Sequence, residues 1–277
     1  MDYFSFADQL LKIKKDEQIT IAQISDPHLF ECTEQCHHGA NVYHNLTKVI
    51  ESISIKDEID LIIFTGDLTQ DHTENSYQRF VEIFTDIAKK STNFSLPVFF
   101  IPGNHDEDAL LKRYLNKVPF YSDKTINWHN WQIQLLNSKS STPSGLVSDN
   151  EILRLKESIT QAAHQLLFMH HHPIDVGYFI DKHGLINKER FWQEISLLNI
   201  EQNPGVKAIA CGHVHGAMDF PAFSQNNSQC TRVLTCPATS IQFDQTKDHV
   251  AALPQSGGYR LITLHQSGDI KTKVLYV

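Results

Sequence analysis

Five short segments of the chain carry side chains that hold metal ions well: Asp26-Pro27-His28, Gly66-Asp67, Gly103-Asn104-His105-Asp106, His170-His171-His172-Pro173 and Gly212-His213-Val214-His215. One Asp-x-His or one Gly-Asp is close to noise, but five such segments in order, each after an apolar run, are not. Imidazole nitrogens mixed with carboxylate and amide oxygens, without thiolate, suit manganese, iron or zinc better than magnesium or calcium. A carboxylate has two oxygens and can serve two cations where an imidazole cannot, which makes Asp67 the natural bridge. Two such ions about 3.5–4 Å apart polarise a phosphoryl group and bring the pKa of a shared water to about 7. The chemistry these residues point to is phosphoester hydrolysis.

Side chains with that task need rigid seats. Residues 19–25 (Ile-Thr-Ile-Ala-Gln-Ile-Ser) predict a strand that delivers Asp26 and His28 to a loop. Val42, Leu46, Val49, Ile50 and Ile53 recur at helical spacing, and a strand over 60–65 leads to Asp67. Tyr77, Phe80, Val81, Phe84 and Ile87 mark a second helix, followed by a strand over 97–101. This β-α-β-α-β order implies right-handed crossovers and a largely parallel sheet. A short helix over 107–115 and a strand over 131–136 come next. Ser148 and Glu151 then form a capping box for a helix on which Ile152, Leu155, Ile159 and Ala162 share a face. A strand over 165–169 enters the histidine triplet, a helix is expected around Phe191 and Ile195, and short strands separated by turn residues follow from Val206.

Open sheets bind their ligands outside the carboxyl ends of the strands. Asp26, Asp67, Asn104 and His213, each expected one to three residues past a strand, should therefore converge. No repeat, low-complexity tract or linker divides residues 1–277, which predict one domain of the α/β class. The expected architecture is a four-layer α/β/β/α sandwich with a dinuclear metal site at the strand ends.

Composition excludes several alternatives. The formal charge is −8 and no basic stripe is present, which argues against a nucleic-acid partner. The longest apolar runs, such as Leu61 to Phe64, fall far short of the roughly 20 residues that span a bilayer. Lys12, Lys14 and Lys15 follow the first apolar residues instead of preceding them, unlike a signal peptide. The five cysteines, 32, 36, 211, 230 and 236, form no disulfide framework. A soluble cytoplasmic protein in a reducing compartment is expected. Cys32 and Cys36 with His37 and His38 suggest zinc, but no second ligand pair at zinc-finger spacing follows, so a polar loop with free thiols is preferred.

In order and residue type the five segments resemble the calcineurin-like metallophosphoesterase superfamily, whose pattern is Asp-x-His, Gly-Asp, Gly-Asn-His-Asp/Glu, His before a proline, and Gly-His-x-His. The chain looks most like the bacterial class III cyclic-nucleotide phosphodiesterases. That closer likeness is carried by residues 23–30 (Gln-Ile-Ser-Asp-Pro-His-Leu-Phe), Gly39-Ala40-Asn41, Gly66-Asp67-Leu68-Thr69-Gln70-Asp71, the histidine triplet and Ile241-Gln242-Phe243. The resemblance implies a first metal held by Asp26, His28, His215 and bridging Asp67, and a second held by Asn104, His171, His213 and the same Asp67. His171 is taken from the triplet because the family's ligand lies two residues before the proline, and His170 and His172 are second choices. His105 would face the substrate as the catalytic residue, oriented by Asp71 or Asp106. Pro27, where many relatives have Thr, stiffens its loop and leaves the ligand set intact.

The reaction so implied is attack of a metal-bridging hydroxide on 3′,5′-cyclic AMP, with His105 protonating the ribose 3′ oxygen to give 5′-AMP. Asn41, Asn104, His105 and Phe243 are the candidate substrate contacts, Phe243 with Phe30 and Tyr178 as possible stacking platforms for the base. Loops 30–45, 174–204 and 236–256 should choose among substrates. A glycerophosphodiester or a nucleotide sugar would use the same metals. A non-catalytic scaffold on the same fold is the remaining alternative, but such proteins lose ligands or the substrate-facing histidine, and this chain keeps them all.

Overall fold

The computed structural model describes residues 17–90, 96–159, 163–201, 204–223 and 231–277. Strand β1 (Gln18–Ile24) is followed by a two-residue hairpin, β2 (Cys36–His37) and β3 (Ala40–Asn41), and by helix α1 (Val42–Ser54). Then come β4 (Leu61–Phe64), α2 (Glu74–Lys90), β5 (Val98–Phe100), α3 (Asp108–Tyr114), β6 (Phe120–Tyr121), β7 (Thr125–Trp128) and β8 (Trp131–Leu135). The second half holds α4 (Asp149–Ser158), β9 (His164–Met169), a 3-10 turn over Phe179–His183, α5 (Lys188–Glu201), β10 (Val206–Cys211), β11 (Asp219–Phe223), β12 (Thr231–Thr235), β13 (Gly258–His265) and β14 (Ile270–Tyr276).

These strands form two six-stranded sheets, ordered β14-β13-β1-β4-β5-β6 and β11-β12-β10-β9-β8-β7. β1, β4, β5 and β6 run parallel in the first, as do β8, β9, β10 and β12 in the second. Antiparallel strands are confined to the β13-β14 and β11 edges and to β7.

Alternation along each strand decides which face a side chain covers. Ile19, Ile21, Leu61, Ile63 and Phe99 point between the sheets, against Trp131, Ile133, Leu166, Phe168 and Ala210 of the other sheet. Ile24, Ile62, Phe64 and Val98 point outward under Leu46, Val49 and Ile50 of α1 and Tyr77, Phe80 and Phe84 of α2. On the far side Leu167, Met169 and Ile209 lie under Ile152 and Leu155 of α4 and Phe191 and Ile195 of α5. Strands covered on both faces are apolar throughout, which is why they read as continuous runs in the sequence. The α/β/β/α layering is the expected one.

The differences from expectation are local. Ser148 Oγ accepts from Glu151 N–H, but the Glu151 carboxylate turns to Asn137 N–H and Arg154, so the capping box is only half formed. The helix ends at Ser158 with Ile159 as its cap, and Ala162 lies outside the described residues. Asn203, Cys230 and the lysines at 12, 14 and 15 lie outside them too.

Candidate metal centre and substrate cleft

The loops after β1, β4 and β5 leave one sheet, and those after β9 and β10 leave the other, at the same carboxyl-terminal edge. Two adjacent loops zip together through the backbone, with Asp26 N–H on Gly66 O (2.9 Å), His28 N–H on Asp67 O (3.1 Å) and Leu29 N–H on Leu68 O (2.8 Å). The Asp106 carboxylate braces them from below, accepting from the N–H groups of Asp67, Leu68 and Gly103, each at 2.8 Å. The glycines of the motifs are steric requirements: a Cβ on Gly103 would stand 2.2 Å from Asp67 Oδ1, and one on Gly66 2.3 Å from Gly103 N.

Four overlapping groups of possible ligands result among the described residues, one of them joining His105 to His28 and Asp67, and two centres organise them. Asp26, His28 and His215 form the first, with His28 Nε2 3.1 Å from His215 Nε2 and His215 Nε2 3.4 Å from Asp26 Oδ1. The second gathers on His170: its Nε2 lies 3.1 Å from Asn104 Oδ1, 3.2 Å from His213 Nδ1 and 3.4 Å from Asp67 Oδ2. Asp67 Oδ2 is also 3.7 Å from His28 Nε2, so this carboxylate oxygen stands between both groups. Asp26, His28, Asp67, His170, His213 and His215 are all buried.

The histidine triplet is therefore arranged differently from the expectation. His171 lies within reach of His170 and His213, but its Nδ1 meets Ser138 Oγ at 2.9 Å and its Nε2 meets Pro143 O at 3.2 Å, so both ring nitrogens are engaged by the loop after β8. His170 instead has Nδ1 on Thr65 O at 2.7 Å, which fixes the ring and leaves Nε2 directed into the cluster. An outer hydrogen bond to a backbone carbonyl is the usual orienting device of a metal-binding imidazole. His215 repeats it with Nδ1 on Ile241 O at 2.9 Å. Strand parity was the available signal: Leu166 and Phe168 face the space between the sheets, so residue 170 continues inward and residue 171 does not.

The electrostatics fit a cation. Burial holds the imidazoles of His28 and His213 well below their ordinary pKa, leaving neutral rings with lone pairs to offer. Burial pushes against ionised Asp67 as well, but the imidazoles of His170, His28 and His105 outweigh it and hold the carboxyl well below the usual range. His170, although buried, is raised to about 9 by Asp67, which marks a place that draws positive charge. His28 Nδ1 and His213 Nε2 are buried without a hydrogen-bond partner. A donor set of imidazoles, carboxylates and one amide oxygen fits divalent metal ions.

Above this floor opens a cleft of about 490 Å³, within the usual range of small-molecule sites. Each of the three loops named from the sequence contributes: His37 and His38 from the first, Phe179, Ile180, Lys182 and His183 from the second, Phe243, His249 and Val250 from the third. His105, Gln70, Pro143 and Asp248 also line the cleft. His105 donates its backbone N–H to Asp67 Oδ1 at 2.8 Å, and its ring stands edge-on to His28 at 4.9 Å.

Neither acidic candidate orients His105. Asp106 serves backbone N–H groups, and Asp71 accepts from Glu31 N–H and Thr73. The ring that accompanies His105 is His72, parallel to it at 5.8 Å, which the sequence did not single out. Asn41 caps α1, accepting from His44 N–H at 2.8 Å and donating to Thr33 O at 3.0 Å, so it shapes the first loop and is absent from the cleft lining. Phe243 does line the cleft, but it lies flat on His215 with centroids 4.0 Å apart and tilts against Phe179 at 5.2 Å, so it supports a ligand ring more than it offers a free face. Tyr178 is buried with its hydroxyl on Val214 O, and Phe30 packs against the outer core of the first sheet. Cys32 and Cys36 are exposed free thiols outside the metal-binding groups found among the described residues.

Two sheets whose shared edge gathers imidazoles and carboxylates over an open cleft define a metal-dependent hydrolase of the phosphoesterase kind. Residues 19–217 match the calcineurin-like phosphoesterase family, and the chain belongs to it. Among similar proteins, a probable cyclic nucleotide phosphodiesterase of Colwellia psychrerythraea is 50% identical over 94% of this chain and 95% of its own length. The 3′,5′-cyclic adenosine monophosphate phosphodiesterases of Vibrio vulnificus and Escherichia coli K12 are 32% and 31% identical, over 94% and 95% of this chain and 90% and 92% of theirs. A solved structure of a purple acid phosphatase from yellow lupin superposes with a TM-score of 0.58 at 12% identity, covering 95% of this chain and 54% of that one, a likeness of fold alone. No helix among the described residues is long and apolar enough to cross a membrane.

Proposed function

We propose that the chain is a two-metal phosphodiesterase that hydrolyses 3′,5′-cyclic AMP to 5′-AMP. The observation that carries the two-metal reading is the position of Asp67 Oδ2, 3.7 Å from His28 Nε2 and 3.4 Å from His170 Nε2. Asp26, His28 and His215 would hold one ion, Asn104, His170 and His213 the other, and Asp67 both. His170 here replaces the His171 that the family pattern suggested. Manganese, iron and zinc all suit this donor set. When bound, such a pair supplies Lewis acidity at the phosphoryl oxygens and a hydroxide at neutral pH.

The protein's own groups do the rest. The loops would fix where the phosphate sits, since the side chains around it are buried and His170 and His215 are hydrogen-bonded from behind. His105, held through its backbone on Asp67, would protonate the leaving 3′ oxygen, and burial lowers its pKa, which makes its charged form a readier acid. The apolar side formed by Phe179, Ile180, Phe243 and Val250 receives the nucleoside.

The substrate rests on relatives named for cyclic nucleotides that align along nearly the whole chain. A panel of cyclic AMP, cyclic GMP, 2′,3′-cyclic nucleotides, glycerophosphodiesters and an aryl diester, with chromatography of the products, tests it. The expected result is 5′-AMP from cyclic AMP with little 3′-AMP. Turnover of the aryl diester alone, in every metal form, would leave a phosphodiesterase of another substrate.

A further inference from the structure

The third histidine of the triplet stands behind the cleft wall and holds no place in the metal groups. His172 is buried, its ring lies nearly parallel to His213 at 5.7 Å, and its Nε2 meets Asp181 Oδ1 at 3.2 Å. Asp181 belongs to the 3-10 turn Phe179–His183, the turn that lends Phe179, Ile180, Lys182 and His183 to the cleft. The same carboxylate folds back on the chain before that turn, accepting from Val176 N–H at 2.7 Å and Gly177 N–H at 2.8 Å. Leu185 N–H returns to His172 O at 3.1 Å, closing the loop on the other side. The turn has a second anchor in the Tyr178 hydroxyl on Val214 O, and Val214 lies between two candidate ligands.

One wall of the cleft is thus tied by side chains to the two segments that carry His170, His213 and His215. A short 3-10 turn has poor intrinsic stability, so its position comes from such ties. The Asp181 ties do not reach the floor directly, because its partners His172, Val176 and Gly177 all lie outside the metal-binding groups found among the described residues.

We infer that the His172–Asp181 pair is a positioning device for substrate selection: it sets the distance between the Phe179–Ile180 wall and the metal floor, and so selects diesters carrying a nucleoside over small ones. This rests on the cyclic-nucleotide reading above. It assigns different work to each histidine of the triplet, with His170 directed into the cluster, His171 securing the loop after β8 and His172 securing the wall.

The test is Asp181→Ala in the metal-loaded protein, with KM and kcat measured for cyclic AMP and for a small aryl diester, and metal content measured alongside. The expected result is a KM for cyclic AMP raised about tenfold, the size of one modest lost interaction. The aryl diester should keep both constants within about twofold, and the metals should be retained. A merely structural role would move both substrates together. Equal changes on both substrates, lost metal, or an unchanged KM for cyclic AMP would overturn the inference while leaving the proposed function standing. If the unmodified protein turns over the aryl diester but no cyclic AMP, the function and the inference fall together. Should Asp181→Ala fail to fold, Asp181→Asn keeps an acceptor for a backbone N–H and should show the same split at about threefold; no split there overturns it equally.

Discussion

Asp67 carries more of the site's geometry than any other side chain, since one oxygen faces two groups of imidazoles and the other receives His105 N–H. Asp67→Asn replaces a shared anionic oxygen with an amide and should be the most damaging ligand change, taking bound metal from about two ions per chain to below one by elemental analysis. The triplet gives a sharper comparison. His170→Ala should lose metal, whereas His171→Ala should keep it and show its damage in the Ser138–Pro143 loop; the reverse outcome would restore the family-based choice of His171. His105 belongs to the substrate and not to the metals in this scheme. His105→Ala should hold its metal content and lose about 10²–10⁴-fold in rate on cyclic AMP, the range for a positioned acid. The loss should shrink for an aryl diester, whose leaving group needs little help. A parallel loss of metal would make His105 a ligand.

At the scale of elements, the loops are held in conformations that few residues adopt willingly. Asp26, His28, Asp67, His213 and His215 all have φ between 47° and 64°. The left-handed region costs a non-glycine residue of order 1–3 kcal/mol, and such strain persists only where surrounding bonds determine it. For Asp26, His28 and Asp67 those bonds are the backbone ladder between the 26–29 and 66–68 segments and the Asp106 brace; His213 donates its N–H to the Asp26 carboxylate, and His215 holds Ile241 O through Nδ1. Gly103→Ala probes the packing directly, because its Cβ would overlap Asp67 Oδ1 and neither loop has room to move. It should destabilise the fold by more than about 2 kcal/mol, read from a urea midpoint, and impair metal binding together with stability. An alanine tolerated at full stability would mean the loops are looser than the hydrogen bonds imply.

The elements also explain what was legible in the sequence. Runs such as Leu61–Phe64 and Leu166–Met169 betrayed buried strands, and the metal-binding residues that followed them marked the edge where both sheets end. Parity within a strand, applied to β9, would have selected His170; a motif counted back from Pro173 selected His171. Asn41 is a local helix cap on His44 N–H that capping rules could have shown, whereas the roles of Tyr178 and Asp106 were illegible because each bonds to backbone far away in sequence, Tyr178 to Val214 and Asp106 to Asp67 and Leu68. Such contacts depend on how the two sheets are stacked, which no local pattern encodes.

For the whole molecule the proposed ligand set has one consequence above others, that each metal would take ligands from both sheets: Asp26, His28 and Asp67 with His215, and Asp67 and Asn104 with His170 and His213. The sheets are otherwise joined by apolar packing and a few polar ties, such as Trp131 Nε1–H on His265 O at 2.8 Å. Metal should therefore stabilise the fold, by about 2.7 kcal/mol at a free concentration one hundred times Kd. Manganese should raise the melting temperature and a chelator should lower it. Asp67→Asn should flatten both responses; a full metal-dependent shift in that variant would place the stabilising ion elsewhere.

The distribution of ligands along the chain sets a timetable for biogenesis. A growing polypeptide exposes Asp26 and His28 before their partners on the opposite sheet, ending with His215, which are made later and must then be docked before they face them. A chain that lacks His170, His213 and His215 offers only the donors of the first sheet, and each proposed ligand set is incomplete. On the proposed ligand set, acquisition of metal falls after docking of the sheets, where the free metal present at that moment, more than the order of translation, would decide which ion the protein carries.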